Sequence, residues 1–217
     1  MSKMVTAGKL VVFEGIDGAG KSTLAARVAS LLQEDSCQVL LTREPGGTPG
    51  GTAIRGLISE GCYRDVPEAE YLLFAADRAL HISQVILPAL QRGTIVLSDR
   101  MIDSSYAYQV CGRGVDASVV ATVNQWTMKG IVPDVTVYLA IDYATAQQRL
   151  NRGSRPGDLA HYDQERADFF RRVTRGYESL YANRSDVIKL DATHKVESNA
   201  QIVHQYICDL MGADGSI

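Results

Sequence analysis

The chain has 217 residues, of which 46% are hydrophobic and 22% charged, and a formal net charge of −3. Such a composition suits one compact domain with a real core and room for a small mobile insertion. The slight acidity argues against general nucleic-acid binding, which needs a basic face to displace counterions. A small anionic ligand needs only a local cluster of cations and stays open.

In chain order, residues 10–13 (LVVF) form the first short apolar run, read as a buried strand. A glycine-rich turn leads into a helical pattern over 21–33. Residues 39–42 form a second strand and 52–60 a second helix. A long helical pattern over 67–91 follows, which Pro88 is expected to bend or end. Residues 94–98 read as the third strand, 116–129 as a helix, 135–141 as the fourth strand and 143–152 as a helix. The stretch 153–162 (GSRPGDLAHY) breaks the pattern and reads as a mobile loop. Helix 164–183, strand 187–190 and helix 196–211 complete the chain. The strands are nearly continuously apolar instead of alternating, as expected when both faces of a sheet are covered. Strand–helix alternation then implies an α/β fold, a five-stranded parallel sheet with helices on both faces in a three-layer sandwich. A lid insertion is expected near residues 149–163, within a single domain spanning 1–217.

Cys37, Cys62, Cys111 and Cys208 are far apart and form no C-x-x-C pair, which fits a reducing compartment without structural zinc. The four histidines are equally scattered. The segment before Lys9 is too short and polar for a signal peptide, and no apolar run reaches membrane-spanning length, so a cytoplasmic address and no membrane partner are expected.

After the first strand stands Gly15-Ile16-Asp17-Gly18-Ala19-Gly20-Lys21-Ser22, followed by Thr23 and an Ala/Leu-rich helix. This is G-x-x-x-x-G-K-[ST] in its strand–loop–helix setting, the P-loop. Its glycines let successive backbone N–H groups point at phosphate oxygens, and the helix adds its positive end. Lys21 is placed to reach the β- and γ-phosphates of ATP, and Ser22 to offer its hydroxyl to Mg2+.

The third strand ends in Asp99-Arg100, not in the Asp-Glu of many hydrolytic ATPases, and no N-K-x-D element of guanine switches is present. A carboxylate there can hold Mg2+ and a guanidinium can grip a second phosphate bidentately. A plain ion pair at a strand end is the competing reading.

These residues resemble the thymidylate kinases. Phe13 to Thr23 (FEGIDGAGKST), Thr42 to Thr48 (TREPGGT), Asp99-Arg100 through Ser104 to Gln109 (SSYAYQ), Pro133 to Leu139 (PDVTVYL) and Asp191-Ala192-Thr193 match that family's signatures in order, from Leu10 to about Thr193. The resemblance implies transfer of the γ-phosphate of ATP to dTMP with Mg2+. It also implies roles. Phe74 stacks on thymine and Arg78, four residues on and so on the same helical face, bonds its O4. Arg43 and Arg100 hold the dTMP phosphate, Asp17 lies near the sugar 3′-OH and the metal, and Glu44 supports that cluster. Tyr108 packs against the deoxyribose where a 2′-OH would project, and Ser105 and Gln109 line the base pocket. Without the resemblance, Phe74 and Tyr108 read equally as core and Arg78 as a solvated cation.

Met101 and Ala140 depart from the family pattern, replacing an aromatic and an Asp. Gly18 stands where eukaryotic-type members carry an Arg, so the resemblance is to bacterial-type members, whose lid supplies the charge; Arg149, Arg152 and Arg155 are the candidates here, or else a solvated basic helix end. The family implies a homodimer. A kinase for another acceptor and a non-catalytic nucleotide-binding protein are the competing functions.

Overall fold

The computed structural model describes residues 8–61, 65–151 and 160–214, the side chains of 160–166, 213 and 214 excepted. Five strands, β1 (Leu10–Glu14), β2 (Val39–Arg43), β3 (Ile95–Asp99), β4 (Val135–Ala140) and β5 (Val187–Asp191), pair in the order β2-β3-β1-β4-β5, every pair parallel. All five lie where the apolar runs placed them. The strands alternate between two cores. Val11, Phe13, Leu97, Val135, Val137 and Leu139 join one with the helices α1 (Lys21–Glu34), α8 (Ala160–Tyr181) and α9 (Val196–Asp214). Leu10, Val12 and Val96 join the other, with Ile82, Ile86, Leu90 and Met128. Helices therefore cover both faces, which is why the strands read as continuously apolar.

β1 lies at the centre of the sheet, and the chain leaves it towards β2 on one side and reaches β4 on the other. Open α/β sheets bind ligands at the carboxyl ends of strands where the order reverses in this way. The phosphate-loop motif after β1, Arg43 at the end of β2 and Arg100 after β3 all emerge at this crevice.

The pattern over 67–91 is one helical rod with a change of pitch inside it. Helix α3 (Pro67–His81) passes into a π turn at Ile82–Ile86 and resumes as α4 (Leu87–Gln91). The Leu87 N–H reaches back to the Ile82 carbonyl, five residues away. This widening, immediately before Pro88, accommodates the ring that would clash in a regular α-turn, so the rod continues past Pro88. Helix α2 (Pro49–Glu60) starts earlier than its apolar pattern, because Thr48 caps it by accepting from the Gly51 N–H at 2.8 Å and Pro49 fits the first turn.

One helical segment has no counterpart in the sequence reading. After β3 the chain forms the short α5 (Ile102–Ser105) and a π turn at Tyr106–Gly112, packed chiefly on α8. Its Ser, Asp, Tyr and Gly content gives weak helix propensity, and tertiary packing supplies what propensity does not. Helices α6 (Ala117–Met128) and α7 (Tyr143–Asn151) complete the set. Among the described residues, no helix is long and apolar enough to cross a membrane.

Candidate active site

The turn from β1 into α1 is built from glycines with positive φ: 141° at Gly15, 83° at Gly18 and 96° at Gly20. At Gly18 a Cβ would also stand 2.5 Å from the Ala146 carbonyl oxygen on α7, so neither the torsion nor the space accepts a side chain. The absence of a loop arginine is thus part of how α7 packs. Lys21 is buried, and its Nζ donates to the Ile16 carbonyl at 2.9 Å, folding the ammonium over the loop. Burial, with repulsion from Arg100 added, pushes its pKa down to about 8 against the pull of Asp99, Asp17 and Glu14. Next in the chain, the Ser22 hydroxyl donates to Asp99 Oδ2, while Asp99 Oδ1 is buried with no partner among the described residues. A hydroxyl beside a carboxylate oxygen left unmatched is a hard-oxygen donor set that fits Mg2+.

Arg100 follows β3 with φ 74°, an unusual torsion for a residue with a side chain. Its backbone N–H donates to the Phe13 carbonyl at 2.9 Å, and Ser98 Oγ donates to its carbonyl at 2.9 Å. This turn sends the guanidinium back into the crevice. There it donates to Asp17 Oδ1 at 2.6 Å, Tyr108 Oη at 3.0 Å and Ser104 Oγ at 2.9 Å, and it lies 4.8 Å from the centre of the Tyr108 ring. Beneath it, the fully buried Glu14 accepts from Ser104 Oγ at 2.6 Å, Tyr177 Oη at 2.9 Å and the Met101 N–H at 2.9 Å. Burial, reinforced by Asp103, pushes the Glu14 carboxyl up to about 7. At Asp17 the desolvation of the cleft works upwards, but Arg100 and Lys21 more than offset it and hold the carboxyl low.

At the other end of the cleft, Arg78 on α3 is 2% exposed. Its Nε donates to Glu44 Oε2 at 2.9 Å, Nη1 to Asn124 Oδ1 at 2.6 Å, and Nη2 to the Met101 carbonyl at 3.3 Å and Ser105 Oγ at 3.0 Å. A guanidinium has five N–H donors, so a single Nη1–H is left for a ligand. Glu44 Oε1 also meets His81 Nδ1 at 3.0 Å, and His81 Nε2 meets Thr42 Oγ1 at 2.7 Å. A ring protonated at Nδ1 satisfies both contacts. Asp77 Oδ1 accepts from the Gly46 N–H at 2.9 Å, which ties α3 to the loop after β2, where Glu44–Pro45 is a cis peptide bond. The Glu44 carboxylate thus faces Arg78 and His81 instead of the Arg43–Arg100 side.

One cleft of about 850 Å³ collects these groups. Asp17 to Thr23, Arg43, Glu44, Phe74, Arg78, Asp99, Arg100, Ser105, Tyr108, Gln109 and Arg149 all line it; Gly15 and Ile16 are not among its lining residues. Tyr108 packs edge-on against Phe169, Phe170 and Tyr177, with centroids 6.0, 6.3 and 6.4 Å away, and burial pushes its hydroxyl up to about 12, so it stays neutral. Arg149 donates to the Ala192 carbonyl at 2.8 Å and the Ala19 carbonyl at 3.4 Å, bracing the phosphate loop. Arg152 and Arg155, and most of the expected lid, lie outside the described residues. Met101 is buried in the second core, and its carbonyl rather than its side chain serves Arg78.

Sequence reasoning missed Glu14, Ser104, Tyr177, His81, Asn124 and Arg55, the last of which lines the cleft and donates to the Pro45 carbonyl at 3.0 Å. Two of them carried a signal: Glu14 is a carboxylate inside an apolar strand, and His81 follows Arg78 by three residues on one helical face.

The family model for thymidylate kinase matches residues 13–203. Among similar proteins, the thymidylate kinase of Pelotomaculum thermopropionicum is 46% identical over 176 residues, 81% of each chain. That of Halothermothrix orenii is 42% identical over 199 residues, 91% of this chain and 96% of that one. That of Clavibacter michiganensis subsp. michiganensis is 39% identical over 210 residues, covering 96% and 99%.

Proposed function

The chain belongs to the thymidylate kinase family, enzymes that phosphorylate dTMP to dTDP, and from that premise we propose that the cleft performs this transfer with ATP as donor and Mg2+ as its metal. The observation that carries the reading is the single cleft in which the phosphate loop, the Arg100–Asp17 pair and the Arg78–Glu44 pair meet. ATP lies with its phosphates along Gly15 to Thr23. dTMP lies between Phe74, which stacks on thymine, and Arg100 with Arg43, which hold its phosphate. Arg78 gives its remaining N–H to O4, with Ser105 and Gln109 beside the base. Asp17 meets the 3′-OH and Tyr108 closes the space at C2′.

In the step itself, an oxygen of the dTMP phosphate forms a bond to the γ-phosphorus as the bond from that phosphorus to the bridging oxygen of ADP breaks. The acceptor is already anionic, so positioning and charge cover do the work, without a strong general base. Lys21 covers the γ-phosphate, and Arg100, held off solvent by Asp17, Ser104 and Tyr108, fixes the acceptor. Mg2+ would be held by Ser22 and Asp99 and would supply charge neutralisation for the transferring phosphate. The arginines of residues 149–163, Arg149, Arg152 and Arg155, supply the charge that the loop at Gly18 lacks, with Arg149 also bracing Ala19.

The protein works in the cytoplasm as a homodimer. Leu57 on α2, Leu72 on α3, and Val119 and Trp126 on α6 are exposed, Trp126 by 74%, and these helices pack side by side. A second copy is the cover that apolar set fits. Chromatographic detection of dTDP from ATP and dTMP, with and without a chelator, tests the activity. Formation of dTDP that stops on chelation supports it, and no dTDP from a folded protein overturns it. Sedimentation of the native chain against Trp126→Glu tests the dimer.

A further inference from the structure

At the far end of α1 from the phosphate loop, three metal-ligating side chains meet. Asp35 is the residue that ends α1, and His204 and Cys208 lie one turn apart on α9, which packs along α1. His204 Nε2 stands 2.7 Å from Asp35 Oδ2, Cys208 Sγ 3.6 Å from His204 Nε2, and Cys208 Sγ 4.0 Å from Asp35 Oδ2. All three donor atoms lie within 4.8 Å of one another. Zinc bonds of about 2.0–2.3 Å in tetrahedral array set donor atoms roughly 3.3–3.7 Å apart, so small side-chain rotations convert this triangle into three corners of a zinc site. His204 and Cys208 are half-buried and Asp35 is exposed, which leaves the fourth corner open to water.

We propose that Asp35, His204 and Cys208 form a Zn2+ site that clamps the end of α1 to α9. The donor chemistry selects the metal. A thiolate with an imidazole and one carboxylate suits zinc, whereas magnesium takes oxygen ligands only. Binding forms Zn–S, Zn–N and Zn–O bonds, displaces the Cys208 thiol proton to solvent and takes the imidazole in its neutral form. The site is separate from the cleft: the 14 residues of α1 at about 1.5 Å each put roughly 20 Å between Asp35 and Lys21. Its effect is on the frame that carries the phosphate loop, not on the chemistry. The scattering of cysteines and histidines in the sequence conceals it, because Asp35 is 169 positions from His204.

The test uses the full chain, stripped of metal and kept reduced with a phosphine, and Co2+ as a spectroscopic stand-in for Zn2+. The expected result is a near-ultraviolet thiolate-to-cobalt charge-transfer band with tetrahedral visible bands, both erased by one equivalent of Zn2+. Cobalt at Ser22 and Asp99 has no sulfur ligand and gives no such band. Cys208→Ser removes the band, His204→Ala raises the Zn2+ Kd by about tenfold or more, and Cys37→Ser, the neighbouring thiol, keeps the band. Zn2+ at a hundredfold excess over Kd raises Tm by roughly 5–10 °C in the parent protein and not in Cys208→Ser. No charge-transfer band in the parent, a band that survives Cys208→Ser, or an equal Tm rise in both proteins overturns the proposal.

Discussion

In the cleft, Lys21 and Asp99 at the α1 end are incompletely matched by the protein, whereas the Arg78–Glu44 pair at the α3 end is nearly saturated. Lys21 has one carbonyl for company and a pKa pushed down to about 8, and Asp99 Oδ1 has no partner among the described residues. Arg78, by contrast, makes four hydrogen bonds and is 2% exposed, and Glu44 is shared between it and His81. The difference follows from what each end has to do. A group that must meet transferring charge gains by being left unmet until the ligand arrives, since binding and turnover then relieve its desolvation. A group that discriminates between bases gains by being fixed, so that one remaining donor can be read against one acceptor.

That contrast can be broken from either side. Lys21→Ala leaves the fold intact and lowers turnover by about 10³, because the transition state loses a fixed cation; a folded variant within about tenfold of the parent contradicts the role. Glu44→Gln acts mainly on stability. It takes the charged acceptor from a buried guanidinium and costs about 2–3 kcal/mol in a denaturant titration. Asp17→Asn, which touches a half-exposed pair, changes stability by less than about 1 kcal/mol. Equal losses from the two would erase the distinction between the ends.

The sugar is next in size. A ribose hydroxyl against Tyr108 either meets the ring or lies buried without a partner, so ribothymidine monophosphate is disfavoured by roughly tenfold to a hundredfold in kcat/KM. Tyr108→Phe keeps most of that preference and Tyr108→Ala erodes it. An alanine variant as selective as the parent would make Tyr108 a packing residue among Phe169, Phe170 and Tyr177. The smallest effect is on pH. Because the folded pKa of Lys21 lies below its usual 10.5, the ammonium is present below about pH 8 and lost above it. The value of kcat/KM for ATP, which reports the unliganded enzyme, then falls up to tenfold per pH unit above about 8. A flat profile to pH 10 would contradict the lowered pKa of Lys21.

Much of the α1 end was legible in the sequence, because its parts are consecutive: six residues of glycine-rich turn, a lysine and a serine, entered from a strand and left by a helix. The two cores were legible for a related reason, since apolar runs such as LVVF feed both faces of one sheet. The α3 end was legible only through family resemblance. Its substance is convergence across the chain: Arg78 meets Glu44 from 34 positions away and Asn124 from 46. No local pattern records such distances. The π turns at Ile82–Ile86 and Tyr106–Gly112 escaped for a third reason. They answer to a proline ring and to packing on α8, whereas helical periodicity assumes an unbroken pitch.

The most direct measurement is the ratio of kcat/KM for dTMP over dCMP in the native protein with ATP and Mg2+. Thymine offers an acceptor at O4 and cytosine an amino group at the same place, and the one N–H that Arg78 has left can donate but not accept. The account predicts a ratio of about a hundredfold or more. Comparable values for the two substrates would contradict a base end built around a fixed Arg78.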